Sequence, residues 1–429
     1  MESIKKIVLL STGDVNGAYE AIYNLALSFN KEGHKVVMLV KTKSKPDDFV
    51  IQYNAINKNS FLKRLYLKIE KKISRKFFKS KKIIFDPEFN FLSIDENKEN
   101  ISVDQAISQI GFVPEIIISG MTNDFLNSTD LLALQKGTNS KVYNIAVDMN
   151  HFTGGCHYAW DCKGFINGCD EKCPAILSKF GKDLAKKNFE TKLKNARLGK
   201  FKIVTMSNWT QMQAQESKIY NVQEESINVN SMVDTQLFND KNREIAKRVF
   251  DLDGDKFYIL MGCQNVKHKR KGFEFLIQAL KILYETLSEN QRLKIQVLIV
   301  SREITNSFDE IPFEKKHIKY INDNRLLSLL YQSTNIFVNS SIEDAGPMMV
   351  SQALACGTPV AGFDMGVVNN MVENEFNGYK ARLKDSNDLA KGIKTIFELT
   401  PDMYKEYSKN AVLQVQKYSS LDNIITHFN

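Results

Sequence analysis

Short apolar runs rich in Val, Ile, Leu and Met alternate along the chain with stretches whose apolar residues recur at helical spacing. Runs at residues 7–10, 35–40, 115–119, 142–147 and 203–206 predict one set of five strands. Runs at 257–261, 295–300, 318–321, 336–339 and 359–363 predict a second set. Helical patterns at 19–29, 272–287 and 324–331 fall between them. Alternation of this kind requires crossover connections, which build parallel sheets with helices on both faces. The pattern predicts an α/β chain with two Rossmann-like, doubly wound domains, joined by a polar linker around 239–256.

Length agrees with that division. A chain of 429 residues is too long for one ordinary core and suits two domains of roughly 150–200 residues each. Its 43% hydrophobic and 25% charged content describes a globular protein, not a disordered one. No apolar run approaches the roughly 20 residues of a spanning helix. The opening IKKIVLLS reads as a first buried strand and not a signal peptide, so a cytoplasmic location is expected.

The net charge of +8 is uneven. Residues 58–82 carry eleven Lys or Arg against the single acid Glu70, which leaves the rest of the chain slightly acidic. Within that segment Leu62, Leu65, Ile69, Ile73 and Phe77 recur at helical spacing. Such a basic amphipathic helix suits the surface of an anionic membrane, here the inner face of the plasma membrane; packing on the first domain is the plainer alternative.

Ligands of doubly wound sheets bind beyond the carboxyl ends of strands. Three such ends carry suitable residues. After the first strand, Asn16-Gly17-Ala18 opens a helix, and Gly17 allows close backbone approach to an anion. The stretch lacks a G-x-G-x-x-G fingerprint, which argues against a dinucleotide oxidoreductase. After the first strand of the second set, Lys267, Lys269, Arg270 and Lys271 gather where a helix begins near Gly272. Cations there are unfavourable unless an anion offsets them, and a diphosphate is one candidate. The third end runs through Glu343, Asp344, Gly346, Pro347 and Met348, with Pro347 expected at the first helical position and the helix stopping at Gly357-Thr358-Pro359. Two carboxylates at a loop-to-helix junction can accept hydrogen bonds from sugar hydroxyls while helix N–H groups hold phosphate.

Taken together, the Gly-containing first loop, Ser207-Asn208-Trp209, residues 230–234, Lys271-Gly272 and residues 343–359 resemble the family 4 retaining glycosyltransferases of GT-B architecture. The segments TGGCHY at 153–158 and EDAGPMM at 343–349 resemble members that build bacterial surface polysaccharides such as lipopolysaccharide O-antigen, capsule or exopolysaccharide. The resemblance implies an acceptor-binding domain at 1–235, joined by a returning helix at 403–429, and a nucleotide-sugar-binding domain at 245–402, facing a central cleft. It implies a UDP- or GDP-linked hexose donor and a glycan or lipid-linked acceptor. Gly17, Arg270 and Lys271 would meet the diphosphate, and Glu343, Asp344, Gly346, Pro347, Met348 and Gln352 would complete the donor site. Asp148, His151, Thr153, Gly154 and Gly155 would line the acceptor side. Asp148, Lys271, Glu343 and Asp344 are the expected catalytic residues.

Two positions depart from the family pattern. Its E-x7-E pair, registered on Ala355 through Pro359, becomes Asp344 and Gln352, with Glu343 one residue early. The first-domain position where many members carry His is Val147, with His151 four residues on. The expected mechanism is transfer with retention, without a catalytic metal, since no D-x-D motif is placed to hold a donor-bound cation.

Cys156, Cys162, Cys169 and Cys173 lie within eighteen residues, beside His157. Clustered cysteines in a cytosolic chain suggest a structural zinc site before disulfides, although the spacing is not that of common zinc fingers. His157 is then expected to be packed or acceptor-facing, not a ligand. A zinc-knuckle nucleic-acid-binding protein is the reading from another class. Against it, the cysteines and the basic segment are more than seventy residues apart and no aromatic stacking motif accompanies them, so no nucleic-acid partner is expected. A catalytically silent relative and a nucleotide-sugar epimerase of the same architecture are the nearer alternatives.

Overall fold

The computed structural model describes residues 3–15, 17–55, 82–93, 95–222, 226–262 and 264–428. The basic segment at 58–82, apart from Lys82, lies outside the described residues, as do Asn16 and Cys263. Among the described residues no helix is long and apolar enough to cross a membrane.

The first sheet comprises β1 (Lys6–Ser11), β2 (Lys35–Val40), β3 (Val50–Gln52), β4 (Ile116–Ser119), β5 (Lys141–Ala146), β6 (Lys202–Thr205) and β7 (Ile227–Asn228). Its order is β3-β2-β1-β4-β5-β6-β7. The second comprises β8 (Phe257–Gly262), β9 (Ile295–Ser301), β10 (Glu314–Lys319), β11 (Ile336–Asn339), β12 (Val360–Phe363) and β13 (Gly378–Ala381), in the order β10-β9-β8-β11-β12-β13. The recorded pairings are all parallel. Strands buried on both faces read as unbroken apolar runs, and Ile7 through Leu10 are at most 1% exposed. In both sheets the strand order reverses beside the first strand, between β1 and β4 and between β8 and β11. Those reversals create the crevices in which such sheets take ligands.

The chain divides into two compact units, one of Met1–Ile145, Met149–Ile203 and Ala214–Glu224, the other of Ala146–Asp148, Val204–Gln213 and Glu225–Asn429. In the second, the helix Pro401–Tyr418 starts on Thr400, whose hydroxyl accepts the Met403 N–H, with Pro401 in the first turn. It buries Tyr407, Ala411 and Val415 and packs on the helix Met348–Ala355.

Sequence periodicity missed β3, β7 and β13, which are two to four residues long. It also placed β10 at 318–321, whereas the strand runs Glu314–Lys319. That edge strand, EKKHIK, has no fully buried residue, so the apolar run beside it misled the reading. The polar stretch at 239–256 holds a helix, Arg243–Val249. Arg243 fixes it there by donating to the carbonyls of Cys356 (3.1 Å) and Gly357 (2.9 Å) and to the hydroxyl of Tyr404 (2.9 Å).

Candidate functional site

In the second unit the chain leaves β8 and β11 side by side at the reversal of strand order. The two exit loops are stitched together. The backbone N–H of Ile342 donates to the carbonyl of Arg270 (2.8 Å), and the Ser340 hydroxyl donates to the carbonyl of Lys271 (2.8 Å). Gly272, at φ +58°, makes this possible, because a Cβ there would lie 2.0 Å from the Ser340 carbonyl oxygen. On its other side the β11 loop is held by Ser207 and Thr210, whose hydroxyls both donate to the carbonyl of Ala345, at 2.5 and 2.9 Å. A Cβ on Gly346 would meet that of Met206 at 2.6 Å.

This lacing presents two adjacent carboxylates in very different states. Asp344 is 8% exposed, and one of its oxygens receives both Arg270 Nη1 (2.7 Å) and Lys271 Nζ (2.5 Å). Burial alone would raise its pKa, but the two cations outweigh burial and hold it at about 2. Glu343 is equally buried without such a partner. Burial first, then the charge of Asp344, pushes it up to about 7; Gln213, Trp209 and Lys384 pull weakly the other way. One carboxylate is thus fixed as an anion and its neighbour is poised to titrate near neutrality. Two cations against one fixed anion leave a positive surplus, and both cations keep about a fifth of their side-chain surface exposed, at 22% and 21%. Such an arrangement is able to take an anionic ligand while retaining Asp344 as an acceptor for hydroxyl groups. The offset that the basic loop requires comes in the first place from Asp344 itself.

The helix beyond begins at Met348, with Pro347 as its cap and not its first helical residue. Proline lacks the N–H that either position leaves unpaired, so the shift costs little. Gln352 is 9% exposed, and its side-chain oxygen accepts from the Tyr331 hydroxyl (3.4 Å), within the core. The structure therefore brings Arg270, Lys271, Glu343 and Asp344 together, with Gly346 and Pro347 shaping their loop, and directs Gln352 inward. Gln213 and Lys384 beside Glu343 had no sequence signal, being single polar residues distant in sequence.

In the first unit Gly17 opens the helix Gly17–Lys31 at φ +49°, with nothing within 4 Å of where a Cβ would stand. The adjoining Asp14 is fully buried and accepts the N–H groups of Ser44 and Lys45, both at 2.8 Å. His151 Nε2 lies 3.1 Å from the carbonyl oxygen of Gly120 and borders a cavity of this unit. Thr153, Gly154 and Gly155 are buried and close a turn, the Thr153 hydroxyl donating to the carbonyl of Cys156 (2.6 Å). A Cβ on Gly155 would strike the Phe91 ring at 2.4 Å, so this glycine has a packing reason of its own. Asp148, 5% exposed, groups with the second unit.

The four clustered cysteines carry free thiols. Cys156 and Cys173 hydrogen-bond to each other, which lowers Cys173 to about 7 against the effect of burial and raises Cys156. Backbone N–H groups point at three of the sulfurs: Gly164 at Cys162 (3.4 Å), Gly154 at Cys169, and Ala175 and Ile176 at Cys173. Among the described residues no group of three or more His, Cys, Asp or Glu side chains is arranged to hold a metal ion. His157 is fully buried, in keeping with a packed residue.

Residues 242–414 match the family model described as Glycosyl transferases group 1. An uncharacterized glycosyltransferase of Haemophilus influenzae is 23% identical over 149 residues, a stretch covering 34% of this chain and 42% of that relative, so less than half of its length is matched. Among solved structures, sucrose-phosphate synthase from Thermosynechococcus elongatus aligns with a TM-score of 0.61 at 16% identity, over 99% of this chain and 97% of that one. Anabaena HepE in complex with UDP and glucose aligns at 0.60 and 14%, over 99% and 98%. WaaG, a glycosyltransferase involved in lipopolysaccharide biosynthesis, aligns at 0.58 and 11%, over 99% of both chains. At these identities the structural likeness concerns the fold, two parallel-sheet α/β domains with GT-B glycosyltransferase neighbours. The family match adds support for a glycosyltransferase of group 1, and its span contains the Arg270–Lys271–Asp344 cluster.

Proposed function

We propose that this chain is a retaining glycosyltransferase that moves a hexose-type sugar from a UDP- or GDP-linked donor to a glycan or lipid-linked acceptor of a surface polysaccharide. The observation that carries the reading is Asp344 holding Arg270 and Lys271 at the switch point of the second sheet. In this reading the donor diphosphate lies against the exposed sides of the two cations, and Asp344 accepts hydrogen bonds from the sugar. The bond between the anomeric carbon and the diphosphate oxygen breaks as the acceptor hydroxyl attacks from the leaving-group face, and the hydroxyl proton passes to a phosphate oxygen. Arg270 and Lys271 stabilise the charge that develops on the leaving group, an effect worth roughly 100-fold or more in rate for a single well-placed group. Lys271→Ala is accordingly expected to lose about 100-fold or more in donor cleavage or transfer, measured with a panel of UDP- and GDP-sugars. Wild-type turnover in that variant would sink the assignment.

A structural zinc ion on Cys156, Cys162, Cys169 and Cys173 belongs to the same proposal. What supports it is the set of backbone N–H groups aimed at three of the sulfurs, since outer-shell hydrogen bonds of this kind orient metal ligands. Protein purified without a chelator should carry about one zinc per chain, and fewer than about 0.2 removes the idea, because structural sites bind far tighter than purification dilutes.

A further inference from the structure

In the first unit, residues 83–86 and 175–178 pair as a short antiparallel ribbon that the donor reading does not use. Phe85 bridges Ile176, the Leu177 N–H donates to the Ile84 carbonyl (2.9 Å), and the Asp86 N–H donates to that of Ala175 (3.0 Å). Successive residues of an extended chain point to opposite faces. Phe85 and Ile176 turn inward, onto the buried cluster around Phe91 and Cys173. Ile84 and Leu177, opposite one another, turn outward and are 58% and 57% exposed. The Ser178 hydroxyl accepts the Ile84 N–H (3.1 Å) and donates to the Phe180 carbonyl (3.0 Å). One side chain thus ties Phe180, itself 42% exposed, to the same end of the ribbon. Single exposed apolar residues are ordinary, but apolar residues held together within a polar rim mark a contact with protein or membrane.

The rim decides between these partners. Lys82 and Lys179 adjoin the patch in sequence, and Lys186 stands in the first turn of the helix Leu184–Gly199 that follows; all three are exposed. That helix buries Asn188, Lys192 and Asn195 on its other side. Lys182 is used within the ribbon, donating to the Ile176 carbonyl. Over residues 82–88 and 175–187 five lysines stand against three acids, and one of the acids, Asp183, is paired with Lys187. The sequence that leads into the ribbon is the basic stretch 58–82, and Lys82, its last residue, stands two residues from Ile84. A soluble phosphate compound answers the charge alone, and an apolar protein face answers the side chains alone. An anionic bilayer answers both, because lysines keep their ammonium groups among the headgroups while apolar side chains reach the acyl boundary.

We infer that Ile84, Leu177 and Phe180 dock this unit on an anionic lipid bilayer, with Lys82, Lys179 and Lys186 at the level of the lipid phosphates. Interfacial binding of this kind grows with the apolar area buried and with attraction to anionic lipid. It needs neither nucleotide nor sugar, and it does not rest on the donor reading.

The test sediments the full chain, without nucleotide, with vesicles of phosphatidylcholine alone and of phosphatidylcholine mixed with phosphatidylglycerol. Saturable binding to the mixed vesicles is expected, weakened by added salt, with little binding to the neutral ones. Ile84→Ser, Leu177→Ser and Phe180→Ser should each weaken binding by about threefold to tenfold, and Lys82→Gln and Lys179→Gln by about fivefold each. All five side chains are exposed, so the variants should melt as the wild type does. The inference is overturned if neither vesicle binds, if the neutral vesicles bind as well as the mixed ones, or if the folded triple serine variant binds as the wild type does. Two other occupants of the patch are read from the same proteins. A melting temperature lowered in the triple variant means that the chain itself covers these side chains. Dimerisation that is present in the wild type and lost in that variant, followed by sedimentation velocity, means that a second copy does. Either result overturns the docking. Lys271→Ala should bind vesicles as the wild type does, so failure here and failure of the donor reading are told apart.

Discussion

Each unit sets a carboxylate against a lysine, and the two arrangements differ in what they leave for a ligand. In the second, Asp344 gathers two cations on one oxygen, and both cations keep about a fifth of their side chains exposed. In the first, Glu96 and Lys192 are 4% and 6% exposed at the side chain, and both are finished off by the protein. The N–H of Ser128 donates to Glu96 (2.8 Å), and Lys192 donates to the Asn150 carbonyl (2.7 Å). Surplus charge with an open side is a site for an anion; balanced charge with no open side is framework.

The contrast breaks most severely at Lys192. Methionine there keeps much of the stem but strands the buried Glu96 carboxylate, which costs about 3–5 kcal/mol when one partner of a buried pair is lost. Lys192→Met should therefore fold poorly or melt far below the wild type, whereas Lys192→Met with Glu96→Leu should recover most of the loss, because an apolar pair is often no worse than a buried ionic one. Calorimetric melts of both proteins check this. A single variant as stable as the wild type would show that the pair is not framework, and the distinction between the two units would dissolve.

The two regions were also unequally legible in the sequence. Lys269, Arg270 and Lys271 next to Gly272, and Glu343 and Asp344 next to Gly346 and Pro347, announce themselves because charges and turn residues cluster where a strand must become a helix. Two parallel sheets followed from alternation, whereas three short edge strands were missed and the edge strand at Glu314–Lys319 was placed too late. The polar stripe of Asn188, Lys192 and Asn195 lies at i, i+4 and i+7, the spacing of a solvated helix face, and nothing local distinguishes a stripe turned inward. Its burial is decided by Ser93, Glu96, Ser128 and Thr129, which bond to it from far away in sequence. Gly155 of TGGCHY also has a packing reason that only the fold shows, because Phe91 lies against it. Gln352 was legible as a departure, and only the fold shows that it meets Tyr331.

Within the second unit the contrast narrows to two neighbours, and pH separates them. Glu343 has an ordinary value of 4.5 and is raised to about 7 by burial and by Asp344. An acid whose folded value is raised contributes its full stability below the unfolded value, and that stability is lost as pH climbs through the folded value. The protein should therefore lose stability between about pH 4.5 and 7, by no more than about 3.5 kcal/mol, since each unit is worth about 1.4 kcal/mol. Asp344 has the opposite sign: its contribution is present above the ordinary carboxylate range and disappears only toward pH 2. Glu343→Gln removes the titration and keeps the shape, so its melting temperature should vary less than that of the wild type across the neutral interval. Donor affinity should follow the same curve, because ionised Glu343 adds a second negative charge beside the cations that the diphosphate needs. A wild-type melting temperature and donor affinity that are both flat from about pH 5 to 8 would mean that Glu343 is ionised throughout, and that its neighbour's cations serve both carboxylates alike.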